Sequence, residues 1–107
     1  IKSDYPKVVE ALREGIKKFA EGVYVVWYPI LSRGDHVYLI DQLGELSDKT
    51  LNISMTVQEP DPQGFGMLGS GLFIINPPWT LAEKMESVMP YLTEKLGQFD
   101  AASFQID

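Results

Sequence analysis

A run of six apolar residues, Val23 to Tyr28, constrains the fold of this chain more than any other part of its sequence. All six are β-branched or aromatic, which favours an extended strand. Gly22 precedes the run and Pro29 follows it, and both residue types interrupt regular structure. Because the run is continuous rather than alternating, it predicts a strand buried on both faces, as in a parallel sheet covered by helices.

Helical and extended patterns alternate along the rest of the chain. The first twenty residues predict an amphipathic helix, whose apolar face carries Val8, Leu12, Ile16 and Phe19. The third helix begins with a Thr80–Glu83 capping box. The remaining predicted elements are, in order, a helix over 34–46, strands over 50–57 and 72–75, a helix over 80–96 and a strand over 103–106.

This order of elements, α-β-α-β-β-α-β, predicts an α/β sheet with helices packed on its faces. Residues 58–71 form a long predicted loop that is rich in Pro and Gly. The chain opens on a helix that needs a preceding strand to complete its crossover. We therefore expect the sequence to be part of a larger α/β sheet, with further strands upstream of Ile1.

Charge and side-chain chemistry restrict what this chain can do alone. With 15 acidic and 9 basic residues, it lacks the excess of Lys and Arg by which nucleic-acid binders neutralise phosphates. The absence of cysteine excludes disulfides, thiolate zinc sites and cysteine nucleophiles within the chain. Since His36 is the sole histidine, we do not expect a histidine-based metal site or a Ser-His-Asp triad. We expect neither a signal peptide nor a membrane span, and hence a cytoplasmic protein.

The tetrad Asn76-Pro77-Pro78-Trp79 follows a predicted strand and resembles the catalytic motif of adenine-N6 and cytosine-N4 methyltransferases. In that motif the Asn or Asp oxygen accepts a hydrogen bond from the exocyclic amine, and the aromatic ring stacks on an extruded base. Too few residues follow Trp79 for the strands that come after the motif in a methyltransferase sheet. The alternative, which position favours, is that Asn76 and the prolines end an outer strand. Trp79 would then pack on the next helix as a hydrophobic staple.

A longer pattern covers nearly the whole chain. It comprises Val-Val-Glu-Ala at 8–11, Lys18-Phe19-Ala20, Gly22-Val23-Tyr24, Trp27-Tyr28-Pro29, Gly66-Met67, Ser70-Gly71, the stretch 74–81 and Pro90-Tyr91-Leu92. In this order the chain resembles the bacterial 23S rRNA adenine-N6-methyltransferases of the J type, a family also described as proteins that use external DNA as a nutrient. The joint spacing is more specific than any single string.

The resemblance implies an S-adenosyl-L-methionine-dependent enzyme that methylates the N6 amine of an extruded adenine in 23S rRNA. It also implies that residues 1–107 are the C-terminal portion of a single Rossmann-like methyltransferase domain, with an Asp-Pro-Pro-Tyr motif just before Ile1. The catalytic residues and most of the cofactor site would then lie upstream, and this stretch alone would be inactive. The implied partner is ribosomal RNA, with DNA as a further candidate, and no metal is required.

Residues of this stretch would contribute to substrate binding. In such sheets ligands bind beyond the carboxyl ends of the parallel strands. In the family the last strand of the sheet, here the one that ends at Ile75, is antiparallel. Its start, Gly69-Ser70-Gly71, therefore lies at the rim where the strand over 23–28 ends. The predicted substrate-binding residues are therefore Trp27, Tyr28, Pro29, Gly69, Ser70 and Gly71, beside a substrate loop over 58–71. The tetrad at 76–79 would point away from them.

Two other functions are consistent with the sequence. A methyltransferase of unusual strand order would use Asn76, Pro77, Pro78 and Trp79 as its own catalytic loop. A non-catalytic α/β module would bind DNA or a protein partner during the uptake or use of external DNA. The acidic balance of the chain favours a protein partner over direct contact with DNA.

Overall fold

Helices and strands follow the predicted order in the structure, a computed structural model that describes residues 4–31, 34–57, 67–96 and 103–107. The elements are α1 (Tyr5–Lys18), β1 (Tyr24–Leu31), α2 (Asp35–Gly44), β2 (Thr50–Thr56), β3 (Met67–Ile75), α3 (Leu81–Leu96) and β4 (Ser103–Ile106). The order α-β-α-β-β-α-β is thereby confirmed. Within the described ranges, no helix is long and apolar enough to cross a bilayer.

The first helix shows how local sequence sets the element boundaries. Pro6 lies in the first turn of α1, where its missing N–H removes no helical hydrogen bond. Tyr5 and Val9 are buried in the core, with Leu12 and Ile16 packed against the same cluster, so the buried valine is Val9 rather than the predicted Val8. Because the helix ends at Lys18, Phe19 leaves the predicted apolar face and is 65% exposed.

The four strands form one sheet in the order β1-β3-β2-β4, and every neighbouring pair is antiparallel. β1 and β2 therefore run in the same direction on either side of β3. Helix α2 carries the chain from β1 across to the parallel β2, and β3 then returns through the gap between them. The fold is α/β as predicted, but the sheet is not a parallel one, because each described strand pairs with antiparallel neighbours.

β1 and β3 are both longer than predicted. Pro29 does not end β1 but pairs with Ser70 inside it. This is tolerated because β1 has one neighbour among the described residues, and a missing N–H can face the other edge. Since β3 begins at Met67, residues 69–71 belong to a strand rather than to the predicted loop. The predicted loop residues 58–66 lie outside the described ranges.

The two faces of the sheet are covered unequally. α1 and α2 cover one face, where the buried residues are Tyr5, Val9, Tyr28, Leu39, Leu43, Phe73 and Ile75. α3 covers the opposite face over β2, where the buried residues are Leu51, Ile53, Ile74 and Met89. On that second face Trp27 of β1 is 59% exposed. Within the described residues β1 is therefore buried on one face only, not on both as predicted, because α3 packs over β2 and β4 rather than over β1.

A buried tyrosine joins three strands. Tyr28 on β1 is 1% exposed, and its ring lies over Gly71 of β3, where an added Cβ would overlap the ring. The Tyr28 hydroxyl donates a hydrogen bond to Asn52 Oδ1 on β2. Gly71 thus allows the ring to cross β3, and the hydrogen bond ties β1 to β2 over the strand between them.

We expect Gly71→Ala to lower the free energy of unfolding of the full-length protein by about 1–3 kcal/mol, because the new methyl group overpacks the core. Gly44→Ala is the matched control, since no atom lies within 4 Å of its added Cβ. In a helix it should be neutral or stabilise by up to about 1 kcal/mol. Urea unfolding measures both changes, and an unchanged midpoint for Gly71→Ala would show that the Tyr28 ring does not lie against Gly71.

Candidate functional site

An open cavity lies between α3 and the sheet face that α3 covers. Its volume is about 270 Å³, which is close to the lower end for ligand pockets, roughly 300 Å³. Strand residues form its floor and α3 forms one wall. The lining residues are Trp27, Ile53, Ser54, Met55, Ser70, Gly71, Leu72, Met85, Met89 and Leu92.

The chemistry of this lining suits a flat, apolar group. Trp27 is half-exposed at the cavity, and an indole face of this kind can stack on a nucleobase. The lining contains no charged side chain, so it offers no partner for a phosphate. The carboxylate and ammonium groups of S-adenosyl-L-methionine would also lack partners here. The residues present therefore do not fit that cofactor.

The structure brings three of the six predicted substrate-binding residues together in this cavity, namely Trp27, Ser70 and Gly71. Tyr28 lies on the opposite face, because successive side chains of a strand point to opposite sides. Pro29 and Gly69 lie at the same end of the sheet, where they pair with Ser70 and Ile30, but neither of them lines the cavity. The role of these residues in substrate binding stays a prediction.

The environments of Tyr28 and His36 favour the uncharged form of both side chains. Burial raises the pKa of Tyr28, and hydrogen bonds to Asn52 and Ser54 offset part of that rise. Burial lowers the pKa of His36, against a smaller opposing effect of the neighbouring Asp35. The two rings stack with centroids 6.1 Å apart, and His36 Nδ1 accepts a 3.3 Å hydrogen bond from the Leu31 N–H. Tyr28 thus belongs to the core, and His36, a half-buried residue of α2, packs on its ring.

Acidic and histidine side chains do not converge in the parts of the chain that the structure describes. No group of three His, Asp or Glu residues there is placed to hold a metal ion. The cavity floor and the helix wall likewise contribute none of these residue types.

The tetrad that begins with Asn76 lies at the far end of the sheet. Asn76 follows Ile75, which pairs with Tyr24 and Thr50, the first residues of β1 and β2. It therefore stands beyond the amino ends of the two parallel strands. Asn76 follows Ser70 by six positions along β3 and its end, which at about 3.4 Å per residue separates the two by roughly 20 Å. The cavity and the tetrad are thus distinct places in the fold.

Hydrogen bonds hold Asn76 in a structural position. Its Nδ2 donates to the carbonyl oxygens of Ala20 at 2.8 Å and Gly22 at 2.9 Å. Its backbone N–H donates to the Lys49 carbonyl at 2.9 Å. Its φ of 58° lies in the left-handed region, which Asn tolerates better than most residues. Asn76 thereby clamps the end of β3 to the segments that lead into β1 and β2.

The structure corrects the prediction for Trp79. The side chain was expected to pack on α3 as a hydrophobic staple, but it is 91% exposed. α3 still begins at Leu81, directly after Thr80, as the capping-box pattern predicted. Leu81 itself packs against the buried cluster around Met89, so the start of α3 is anchored without the indole.

We expect Asn76→Asp to lower the free energy of unfolding of the full-length protein by about 1–3 kcal/mol, because the two carbonyls of residues 20 and 22 lose their donor. Thermal and urea unfolding at pH 7 measure this change. The same substitution separates the clamp from a catalytic role, since the methyltransferase motif accepts either Asn or Asp. A variant that is as stable as the parent protein would contradict the clamp.

Comparisons with known proteins identify the family to which the chain belongs. The family model described as ribosomal RNA large subunit methyltransferase D, RlmJ, matches residues 1–106. A Haemophilus influenzae protein named ribosomal RNA large subunit methyltransferase J is 39% identical over 108 residues, covering 100% of this chain and 38% of the relative. The Escherichia coli protein of the same name is 41% identical over 97 residues, covering 90% of this chain and 34% of the relative.

A solved structure also matches the fold. The crystal structure of a Legionella pneumophila protein superposes with a TM-score of 0.86 at 30% identity, covering 100% of this chain and 39% of that one. The chain thus spans little more than a third of the length of the curated relatives that it matches.

Proposed function

Since this chain belongs to the family described as ribosomal RNA large subunit methyltransferase D, RlmJ, we propose that its full-length protein methylates ribosomal RNA. The proposed reaction transfers a methyl group from S-adenosyl-L-methionine to the N6 amine of an adenine in 23S rRNA. The names of the two curated relatives support the ribosomal RNA substrate. The sequence resemblance supports adenine N6 as the target.

The position of β3 is the observation that carries this proposal. The resemblance implies that the strand ending at Ile75 is antiparallel, and that its start lies at the same edge of the sheet as the end of the first strand. In the structure β3 is antiparallel to both β1 and β2, and Leu31 at the end of β1 pairs with Met67 at the start of β3. This topology supports the interpretation of residues 1–107 as the C-terminal portion of a Rossmann-like methyltransferase domain.

The cofactor and the catalytic groups belong, in this proposal, to other parts of the family polypeptide. The cavity described above offers no charged partner for the amino-acid portion of S-adenosyl-L-methionine. The curated relatives extend well beyond the matched stretch, which covers 38% and 34% of their lengths. The present stretch alone is therefore proposed to be inactive.

The contribution of this stretch is to receive the target base. An extruded base needs an aromatic or apolar surface to replace the stacking that it loses. Trp27 provides such a surface at the mouth of an apolar cavity, and Ser70 adds a hydroxyl beside it. Since the chain has a net charge of −6, we assign the binding of the RNA phosphates to residues outside it.

The tetrad at 76–79 is not the catalytic loop in this proposal. The Asn76 amide group is bonded to two backbone carbonyls, which fixes its orientation toward the protein. Trp79 lies exposed at the same end of the sheet, far from the cavity. A structural clamp accounts for Asn76 without assigning it any chemistry.

We expect Trp27→Ala to lower methyl transfer to unmethylated 23S rRNA by roughly tenfold to a hundredfold, because base–aromatic stacking is worth about 1–3 kcal/mol. Trp79→Ala is the matched control, since this residue is also an exposed tryptophan but lies at the opposite end of the sheet. We expect it to retain activity within about twofold.

Rates are measured with the full-length protein and radiolabelled S-adenosyl-L-methionine, beside a thermal unfolding curve for each variant. Equal activity of the two alanine variants at unchanged stability would contradict a role for Trp27 in base binding. Loss of activity in Trp79→Ala alone would return the tetrad to consideration as the reactive site.

A further inference from the structure

The side chain of Ser70 points into the cavity. Along β3 the even-numbered positions face α3, since Ile74 belongs to the buried cluster around Met89 and successive side chains of a strand alternate between its faces. Gly71 faces the other way, because a Cβ added there would meet the Tyr28 ring. Ser70 is half-buried, and its hydroxyl therefore stands on the cavity face of the sheet.

The other serine of the lining does not direct its hydroxyl to the cavity. Ser54 follows Ile53, which is buried on the face beneath α3, so the Ser54 side chain lies on the opposite face. There it forms a hydrogen bond with the Tyr28 side chain. Apart from the indole N–H of Trp27, the remaining described lining residues are apolar. Ser70 thus supplies the one hydroxyl that the described residues offer to the cavity.

Two glycines fix the backbone that carries Ser70. A Cβ added to Gly69 would overlap the carbonyl oxygen of Met55, and a Cβ added to Gly71 would overlap the Tyr28 ring. Both glycines are therefore in close contact with the neighbouring strands, which leaves the backbone between them little freedom. A polar group held on such a strand is placed more precisely than one on a loop.

Ser70 lies beside the exposed indole of Trp27. Trp27 pairs with Leu72, so Ser70 is its diagonal neighbour across the two strands, at about 7–8 Å. A flat ring that stacks on the indole therefore presents an edge to the Ser70 hydroxyl. Among the described residues this hydroxyl has no hydrogen-bond partner, so it is available to a ligand.

We propose that Ser70 determines the specificity of the base site by donating a hydrogen bond from its hydroxyl to a ring nitrogen of the target adenine. This inference rests on the proposed function, in which Trp27 stacks on that base. The exocyclic amine is the reacting group and faces the methyl donor, for which the cavity has no charged partner. The edge left for Ser70 carries a ring nitrogen, which accepts hydrogen bonds. A base without an acceptor at that position would leave the hydroxyl unpaired and bind less well.

Analogues of the target adenosine test this hydrogen bond. The substrate is a 23S rRNA fragment in which the target adenosine, located beforehand from the methylated product, is replaced in turn by its 1-deaza, 3-deaza and 7-deaza analogues. Each analogue keeps the amine and replaces one ring nitrogen by C–H. For the full-length parent protein we expect one of the three to lower kcat/KM roughly threefold to tenfold, which corresponds to one neutral hydrogen bond.

Substitutions at Ser70 identify the donor. Ser70→Ala should lower kcat/KM for adenosine by the same factor, and the sensitive analogue should then cause no further loss, because both changes remove a single bond. Ser70→Thr keeps the hydroxyl and should keep the parent protein's sensitivity to that analogue. Thermal unfolding of each variant separates a loss of stability from the loss of this contact.

Two results would overturn the proposal while adenine methylation still stands. One is equal sensitivity of Ser70→Ala and the parent protein to all three analogues, and the other is full activity of Ser70→Ala on adenosine. A folded parent protein that methylates no adenine would instead refute the proposed function, and the role of Ser70 with it.

Discussion

The path of the Tyr28 side chain across the sheet is the constraint on which the rest of this structure depends. The ring starts on β1, passes over Gly71 of β3 and ends in a hydrogen bond to Asn52 of β2. Neighbouring strands lie about 4.8 Å apart, so a tyrosine can span a middle strand provided that this strand has no side chain in the way. The glycine thereby lets one buried residue tie β1 to β2 across the strand between them. Helix α2 stacks His36 on the ring and adds Leu39 and Leu43 to the same buried cluster.

One end of the sheet and one of its faces have different roles. At the amino ends of β1 and β2, Asn76 bonds to the carbonyls of Ala20 and Gly22 and closes the fold. On the face away from Tyr28, Trp27 and Ser70 contribute to an apolar cavity that has room for a flat ring. The alternation of side chains along β1 therefore places Tyr28 in the core and Trp27 at the cavity.

Local patterns predicted the elements well, and long-range pairing was the part that they could not supply. The helical face of α1 and the apolar run of β1 are visible in the sequence, since each depends on residues close along the chain. The insertion of β3 between β1 and β2 depends on contacts between distant residues, which periodicity does not encode. Trp27 and Tyr28 are for this reason predicted together at one site, although they point to opposite faces of β1. Helices cover the face that carries Tyr28, and Trp27 lies on the open one. Family resemblance supplied the antiparallel β3 that local patterns could not.

Individual side chains departed from prediction for the same reason. Trp79 follows the sequence pattern of a hydrophobic staple, yet Leu81 fills the apolar contact at the start of α3 and leaves the indole in solvent. The clamp formed by Asn76 joins it to residues more than fifty positions earlier, and no short motif indicates such a bond. The prediction that the tetrad stands apart from the binding rim was made from position in the sheet, and the observed pairing of Ile75 with Tyr24 and Thr50 agrees with it.

The most direct test of the account is to identify the methylated product. The full-length protein would be incubated with unmethylated 23S rRNA and S-adenosyl-L-methionine, the RNA digested to nucleosides, and the methylated species assigned by mass spectrometry against standards. The expected product is one new modified nucleoside, N6-methyladenosine. A methyl group on another position or another base would contradict the proposed specificity, and no methylation by a folded protein that binds the cofactor would contradict the proposed function.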